Sequence, residues 1–356
     1  MNLRTGWNLG NTLDAHNADS FENQPANTEI SWGQPETTKE MIDGLAASGL
    51  KTIRIPISWT PHINSEYEID SKWMNRIKQI VDWCLESGMN AIINTHHDNY
   101  INQNIVFAFQ GYYPNNFARE KSKKYIGEVW KQISEAFMNY DDRVIFEPLN
   151  EPRLRGHEHE WVYSHDCPHC REAMDVINEL NQLAVDTIRT SGGNNRTRTI
   201  LVPSYVASPQ AAFTEEFRMP KDIEENQGKI ALSVHMYTPY NFAMNCGDGS
   251  YDSFNDKTRK ELDEHFEILE RLFVKKGYPV IIGEYGATNK GNKKERIKWF
   301  IYYLKNSYKR GIVCMLWDNG IEYNKENPAE GFGFYDRKNC KWFDEDIRKA
   351  IMETIN

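Results

Sequence analysis

Short runs of apolar and β-branched residues recur along the chain, and longer stretches with helical spacing separate them. The short runs occupy residues 5–9, 52–56, 90–94, 144–149, 199–202, 231–235, 280–283 and 312–317. Runs of four to six such residues have the length of buried strands, and no polar position alternates through them. Between them, apolar residues fall three or four apart. Residues 70–87 carry Trp73, Ile77, Ile80, Val81 and Cys84 on one helical face and stop at Gly88. Residues 38–48 likewise stop at Gly49, a usual helix terminator. The same spacing predicts helices over 122–139, 174–190, 258–275, 293–309 and 344–355, whereas 215–227 gives no clear period.

Strands alternating with helices predict parallel pairing through crossover helices. Eight such strands close a ring more readily than they form an open sheet. The expected fold is therefore α/β, a (β/α)8 TIM barrel, with residues 1–356 as a single domain. No repeat, low-complexity tract or Pro/Ser-rich linker divides the chain.

Composition narrows the partners. The net charge is -9, without the clustered Lys and Arg that nucleic acid or an anionic membrane surface rewards. No run of about 18 apolar residues exists to span a bilayer. A neutral substrate and a monomer fit this surface, with neither nucleic acid nor membrane as partner. The opening Met1–Trp7 lacks the basic and apolar regions of a secretory leader. Its closeness to the first strand is consistent with a leader having been removed. Six cysteines are too sparse for a disulfide framework in a domain of this size. Aromatic residues make up 12%, ten of them Trp, which suits a large core and a sugar-stacking cleft alike.

In barrel enzymes the reacting groups sit where the strands end. Here every strand ends in polar or aromatic residues. The first is followed by Asn11 and Asp14, and the second carries Arg54 among apolar neighbours. The third closes with His96-His97-Asp98, the fourth with Asn150-Glu151 and the fifth with Ser204-Tyr205. The sixth supplies His235 and Tyr237, the seventh Glu284, the eighth Trp317-Asp318-Asn319. One such residue alone is more often a satisfied hydrogen-bonding group than a catalyst; eight converging ends weaken that reading. Arg54 needs an anionic partner, because an unpaired buried charge is costly. Glu151 and Glu284 stand nearly opposite in the ring, the arrangement by which a retaining glycosidase brings two carboxyls about 5–5.5 Å apart. The carboxylate surrounded by Arg54, His235 and Tyr237 should be the nucleophile, and the more buried, less solvated one the acid.

The segments Ile-Arg54-Ile-Pro, His96-His97, Leu-Asn150-Glu151-Pro, His235-Met-Tyr237, Gly-Glu284-Tyr-Gly and Trp317-Asp-Asn319-Gly resemble glycoside hydrolase family 5 of clan A. The opening Gly6-Trp7-Asn8-Leu9-Gly10-Asn11-Thr12-Leu13-Asp14-Ala15 and Asn150-Glu151-Pro152-Arg153 are similar to its subfamily 4 endoglucanases. The resemblance runs from Gly6 to about Trp342. It implies a secreted or cell-surface retaining endo-β-1,4-glucanase acting on plant β-glucans by double displacement. Glu151 would be acid/base and Glu284 nucleophile, without metal or cofactor. Asn150 would hold the 2-hydroxyl of the sugar at the cleaved bond. Arg54 and Tyr237 would orient Glu284, and His235 would sit beside Glu151. His96 and His97 would bind that sugar and Trp317 would floor it, with Asn11, Trp59 and Asn319 in neighbouring subsites. A xyloglucan-specific or dual glucanase/xylanase hydrolase is the alternative, and a non-catalytic carbohydrate-binding barrel the remote one.

Three further features carry less. His157, His159, His165, Cys167, His169 and Cys170 suggest a metal cluster. The Cys-x-x-Cys lacks a second pair at zinc-finger spacing, so a solvated loop or a local disulfide is the preferred expectation. Residues 245–252 lack full calcium-loop spacing. Asn195-Arg-Thr is a glycosylation sequon of a kind common by chance.

Overall fold

The computed structural model describes residues 3, 5–16, 27–99, 111–223, 226, 228–322 and 331–355. Eight parallel strands form a closed barrel in chain order: β1 (Gly6–Asn8), β2 (Thr52–Ile55), β3 (Asn90–Asn94), β4 (Val144–Glu147), β5 (Ile200–Pro203), β6 (Ile230–His235), β7 (Val280–Tyr285) and β8 (Val313–Leu316). The ring closes where Gly6 and Trp7 pair with Met315 and Leu316. All eight strands coincide with the apolar runs, with ends shifted by one to two residues.

The helices wrap the outside. They are α1 (Lys39–Ala47), α2 (Ser71–Glu86), α3 (Arg119–Phe137), α4 (Pro168–Thr190), the short α5 (Pro209–Ala212) and α6 (Tyr240–Ala243), then α7 (Asp256–Leu272), α8 (Lys293–Tyr308) and α9 (Glu345–Ile355). A small antiparallel ladder, β9 (Tyr335–Asp336) with β10 (Lys341–Trp342), precedes α9. Local chemistry sets the ends: Asp70 caps α2 by accepting the Lys72 amide, and Asn255 and Thr258 close a reciprocal capping box on α7. Two expectations change. Helix α4 begins six residues before the apolar period does, because Pro168 at its first position is pre-set for helix. Among its described residues the β5–β6 crossover has α5 as its single α-helix; its extended part is tied to α4 instead, where Asn178 bonds the Glu216 carbonyl and the Arg218 amide. Among the described residues no helix is long and apolar enough to cross a membrane.

Strand parity gives the barrel two interiors. Outward residues such as Ile93, Phe146 and Val202 join the large core under the helices. Inward residues Leu3, Ile92, Ile145, Leu201, Ala231, Ile281 and Met315 form a separate apolar plug at the lower end. Above the plug the lumen turns polar: Asn8, Arg54, Asn94, Glu147 and Ser233 are all fully buried. The plug makes the lower barrel a packed floor, so chemistry is confined to the upper mouth. Asn195 is also fully buried and donates to the Ser134 carbonyl and the Ser191 hydroxyl, so the sequon is a structural asparagine closed to glycosylation.

Candidate active site

Arg54, on β2, organises the upper lumen. Its Nε donates to Glu147 Oε2 (2.7 Å). Its Nη1 donates to Asn8 Oδ1 (2.9 Å) and to Glu284 Oε1 (2.9 Å). Its Nη2 donates to Asn150 Oδ1 (2.6 Å). The anionic partner that a buried arginine demands is thus double. Glu147 takes two further donors, Ser233 Oγ (2.6 Å) and Asn94 Nδ2 (3.1 Å), and is fully enclosed. Burial alone would lower the pKa of Arg54, but the charges of Glu147 and Glu284 outweigh it and raise it.

Glu284, near the end of β7, accepts from Arg54 on Oε1 and from Tyr237 Oη on Oε2 (2.9 Å). His235 reaches the same cluster through an irregularity in β6, where the register shifts after Val234 and sets His235 opposite Glu284. Its Nδ1 lies 2.7 Å from Glu151 Oε1 and 3.4 Å from Glu284 Oε2. One oxygen of Glu151, one of Glu284 and a ring nitrogen of His235 lie within 4.8 Å of one another. Two carboxylates that close match the spacing of about 5–5.5 Å at which one can attack while the other protonates. They are too close for the intervening water of inverting chemistry, which needs roughly 6.5–9.5 Å.

The electrostatics correct one expectation. The acid was expected to be the more buried carboxylate, yet the Glu151 side chain is 20% exposed and that of Glu284 only 7%. Burial works to raise the pKa of Glu151, but the hydrogen bond and charge of His235 prevail and lower it. For His235, burial works downward and the charges of Glu284 and Glu151 prevail, raising it. Glu284 is raised, by burial first, against the attraction of His235 and Arg54. The two shifts oppose one another across the His235–Glu151 hydrogen bond, so a proton held there is drawn toward the imidazole.

The remaining predicted residues gather unequally. His96 is buried, with Nδ1 3.0 Å from Asn94 Nδ2 and Nε2 3.5 Å from Asn150 Nδ2. Burial, with the charges of His97, Arg54 and His235, holds its pKa well below the usual histidine value, so the ring is neutral. His97 is half-exposed, its Nε2 3.5 Å from Asp14 Oδ2. The Trp317 indole is half-buried and parallel to the His96 ring, 1° apart in plane with centroids at 5.9 Å. Gly10 makes room for that indole, since a Cβ there would lie 2.8 Å from Trp317 Cη2. Asn11 follows β1 with φ 55°, its amide bonded to Asp14 Oδ2.

Two residues do not face the cleft. Trp59 is 0% exposed, and its indole N–H donates to the Asn94 carbonyl, so neither ring face is free for a sugar. Its neighbour Asp98 is also internal, accepting from Trp59, Thr60 and Tyr125. Asn319 is 1% exposed and its Oδ1 accepts the Ile321 amide, which makes it a turn residue.

Sequence reasoning passed over Glu147, Asn8 and Arg153. Glu147 was legible as the only charge within the fourth apolar run, the natural counterpart of Arg54. Arg153 lies beside the reacting pair, with Nη1 3.8 Å from Glu151 Oε2 and its guanidinium 4.0 Å from the Trp161 ring centroid. Donor sets able to hold a metal occur in the cleft as Glu151, His235, Glu284 and as Asp14, His96, His97. In the first set the lone pairs are already engaged by Arg54, Tyr237 and the His235 bridge. A third set, His157, Cys167 and Cys170, lies outside the cleft.

The chain has counterparts among known proteins. A family model described as cellulase (glycosyl hydrolase family 5) matches residues 13–322. Endoglucanase A of Clostridium longisporum is 38% identical over 353 residues, 98% of this chain and 64% of that protein. The chain thus spans less than two thirds of that relative's length. A family 5 lichenase from Caldicellulosiruptor sp. F32 superposes with TM-score 0.91 at 40% identity, covering 99% of this chain and 93% of that one. A broad-specificity endoglucanase of subfamily 4 from Ruminococcus champanellensis, solved with bound cellotriose, gives 0.87 at 36% identity over 98% and 96%.

Proposed function

The chain belongs to the cellulase family, glycosyl hydrolase family 5, and on that premise we propose that it is a retaining endo-β-1,4-glucanase of plant cell-wall glucans. The observation that carries the reading is the approach of Glu151 and Glu284 within 4.8 Å across the barrel mouth. Glu284 is the nucleophile: Arg54 and Tyr237 each bind one of its oxygens, fixing its aim and stabilising its anionic form. Glu151 is the acid/base. It passes the proton shared with His235 to the departing glycosidic oxygen while Glu284 bonds to the anomeric carbon. Glu151, now without its proton, then takes one from water, and the water oxygen displaces Glu284 with the β configuration restored.

Asn150 Oδ1 accepts from Arg54, which fixes the amide with its N–H on the side of His96; a sugar 2-hydroxyl is the group that N–H would bind. Trp317 and His96, parallel and close, form the floor on which that sugar lies. His97 and Asn11 extend the rim toward the next sugars. Residues 1–356 form one catalytic domain that acts as a monomer, outside the cell, where its polymeric substrate is found. Among glucans the reading includes both xyloglucan and mixed-linkage glucan, in keeping with a lichenase and a broad-specificity endoglucanase among the similar structures.

The test is reducing-sugar release from barley β-glucan, carboxymethylcellulose, xyloglucan, xylan and mannan, with Glu284→Gln alongside. Strong glucan hydrolysis that disappears in the variant supports the reading. Full activity in the variant, or an α-anomer as first product by NMR, overturns it.

A further inference from the structure

The loop between β4 and α4 leaves the mouth directly after Glu151 and returns as α4 at Cys167. At its far end three metal-binding side chains meet. His157, Cys167 and Cys170 each place one ligand atom within 4.8 Å of the others. Cys167 is the N-cap of α4 and Cys170 lies one turn inside it, so the two thiols share one side of the first turn. His157 comes from ten residues upstream, across the loop. Its ring is 5.6 Å from that of His159 and 5.6 Å from that of His169, so two further imidazoles border the group. All six cysteines are free, and Cys170 is buried.

We propose that His157, Cys167 and Cys170 bind a structural zinc ion, with His159 or His169 as the fourth ligand. Two sulfurs and imidazole nitrogens are the donors zinc selects, and their mutual spacing suits a tetrahedron with Zn–S near 2.3 Å and Zn–N near 2.0–2.1 Å. A Cys-x-x-Cys pair alone fits a disulfide equally well; the converging histidine is what favours a metal. Binding releases the two thiol protons and leaves a pair of thiolates on the ion. One hydrogen bond must be given up, that from the His159 amide to His157 Nδ1 (3.1 Å), because a ligating imidazole carries its proton on the other nitrogen.

The zinc would close a loop whose near end touches the reacting pair. Between Glu151 and the cluster, Arg153 Nε donates to Glu160 Oε1 (3.1 Å) and Tyr205 Oη donates to the His159 carbonyl (2.9 Å). Trp161 lies over the Arg153 guanidinium. A metal at the far end would hold Arg153 and Trp161 as one wall of the mouth.

The test is metal content of the full chain, purified without reductant or chelator and passed through gel filtration. One zinc per chain by mass spectrometry of the metal is expected, together with a thiolate-to-metal charge-transfer band after cobalt substitution. Cys167→Ser with Cys170→Ser should lower zinc retention by at least about tenfold. His157→Gln, at a half-buried loop position, gives the same loss if the double variant folds poorly. Zinc well below one per chain in the wild type, equal zinc in the variants, or a Cys167–Cys170 disulfide in the metal-free protein overturns the proposal. Metal content is independent of turnover, so the hydrolase reading stands or falls separately.

Discussion

Two arginines are enclosed at opposite ends of the same barrel, and they are held in different ways. Arg198, just before β5 at the floor, donates to the carbonyls of Phe137, Tyr140, Asp141 and Val144 and to Asn195 Oδ1. Among the described residues no carboxylate bonds it, and burial lowers its pKa to about 10. Arg54, at the mouth, bonds two carboxylates and two amide oxygens, and its pKa is raised. Carbonyl dipoles can satisfy a guanidinium without neutralising it, and they tie chain segments together. Carboxylates neutralise it, and when one of them is half-free at a cleft the same cation positions a reacting group. The floor arginine therefore serves the fold and the mouth arginine serves the chemistry.

Four substitutions break or sharpen that contrast, in order of expected size. Glu284→Gln removes the attacking oxygen and should lower kcat on β-glucan by about 10⁴-fold or more, with little change in Tm. A loss under tenfold would place the nucleophile elsewhere. Arg198→Met removes the hydrogen bonds to four carbonyls and to Asn195 and should cost about 3–5 kcal/mol of stability in urea unfolding, while the folded fraction keeps its kcat. An equal fall in kcat would erase the division between floor and mouth. Arg54→Lys keeps the charge but cannot reach four acceptors, so kcat should fall roughly 10²–10³-fold, more than Tm alone explains. The last concerns pH. His235 is raised, so the shared proton is held below its pKa and lost above it, giving a basic limb of kcat/KM above the usual histidine value near 6.5. In His235→Asn only a carboxyl carries that proton, and the basic limb should move to lower pH. An unmoved limb would show that His235 does not share it.

The contrast also marks what the sequence could reveal. Strands surfaced readily, because they are buried on both faces and read as nearly continuous apolar runs such as Ile200–Pro203. Residues at strand ends surfaced as well: Arg54, Asn150, Glu151, His235, Tyr237 and Glu284 all meet at one point. Trp59 and Asn319 did not fit, since enclosure depends on which loop covers a side chain, and spacing along the chain says nothing of that. Glu147 was hidden for a different reason: a charge inside a strand is recognised only once its partner across the lumen is known. The direction of the Glu151 shift was missed because it is set by the charges of His235, from another strand, and of Arg153.

Glu147 has a last consequence. In the proposed mechanism Glu284 becomes a glycosyl ester and ceases to be an anion, so that Arg54 loses one of its two counter-charges. An arginine stripped of its anion inside a barrel would oppose that step. Glu147 remains, sealed at 2.7 Å against Nε and out of reach of any sugar, so the guanidinium stays neutralised throughout the reaction cycle. The second carboxylate acts as ballast: the nucleophile can shed its charge and regain it without the interior ever holding an unmatched ion.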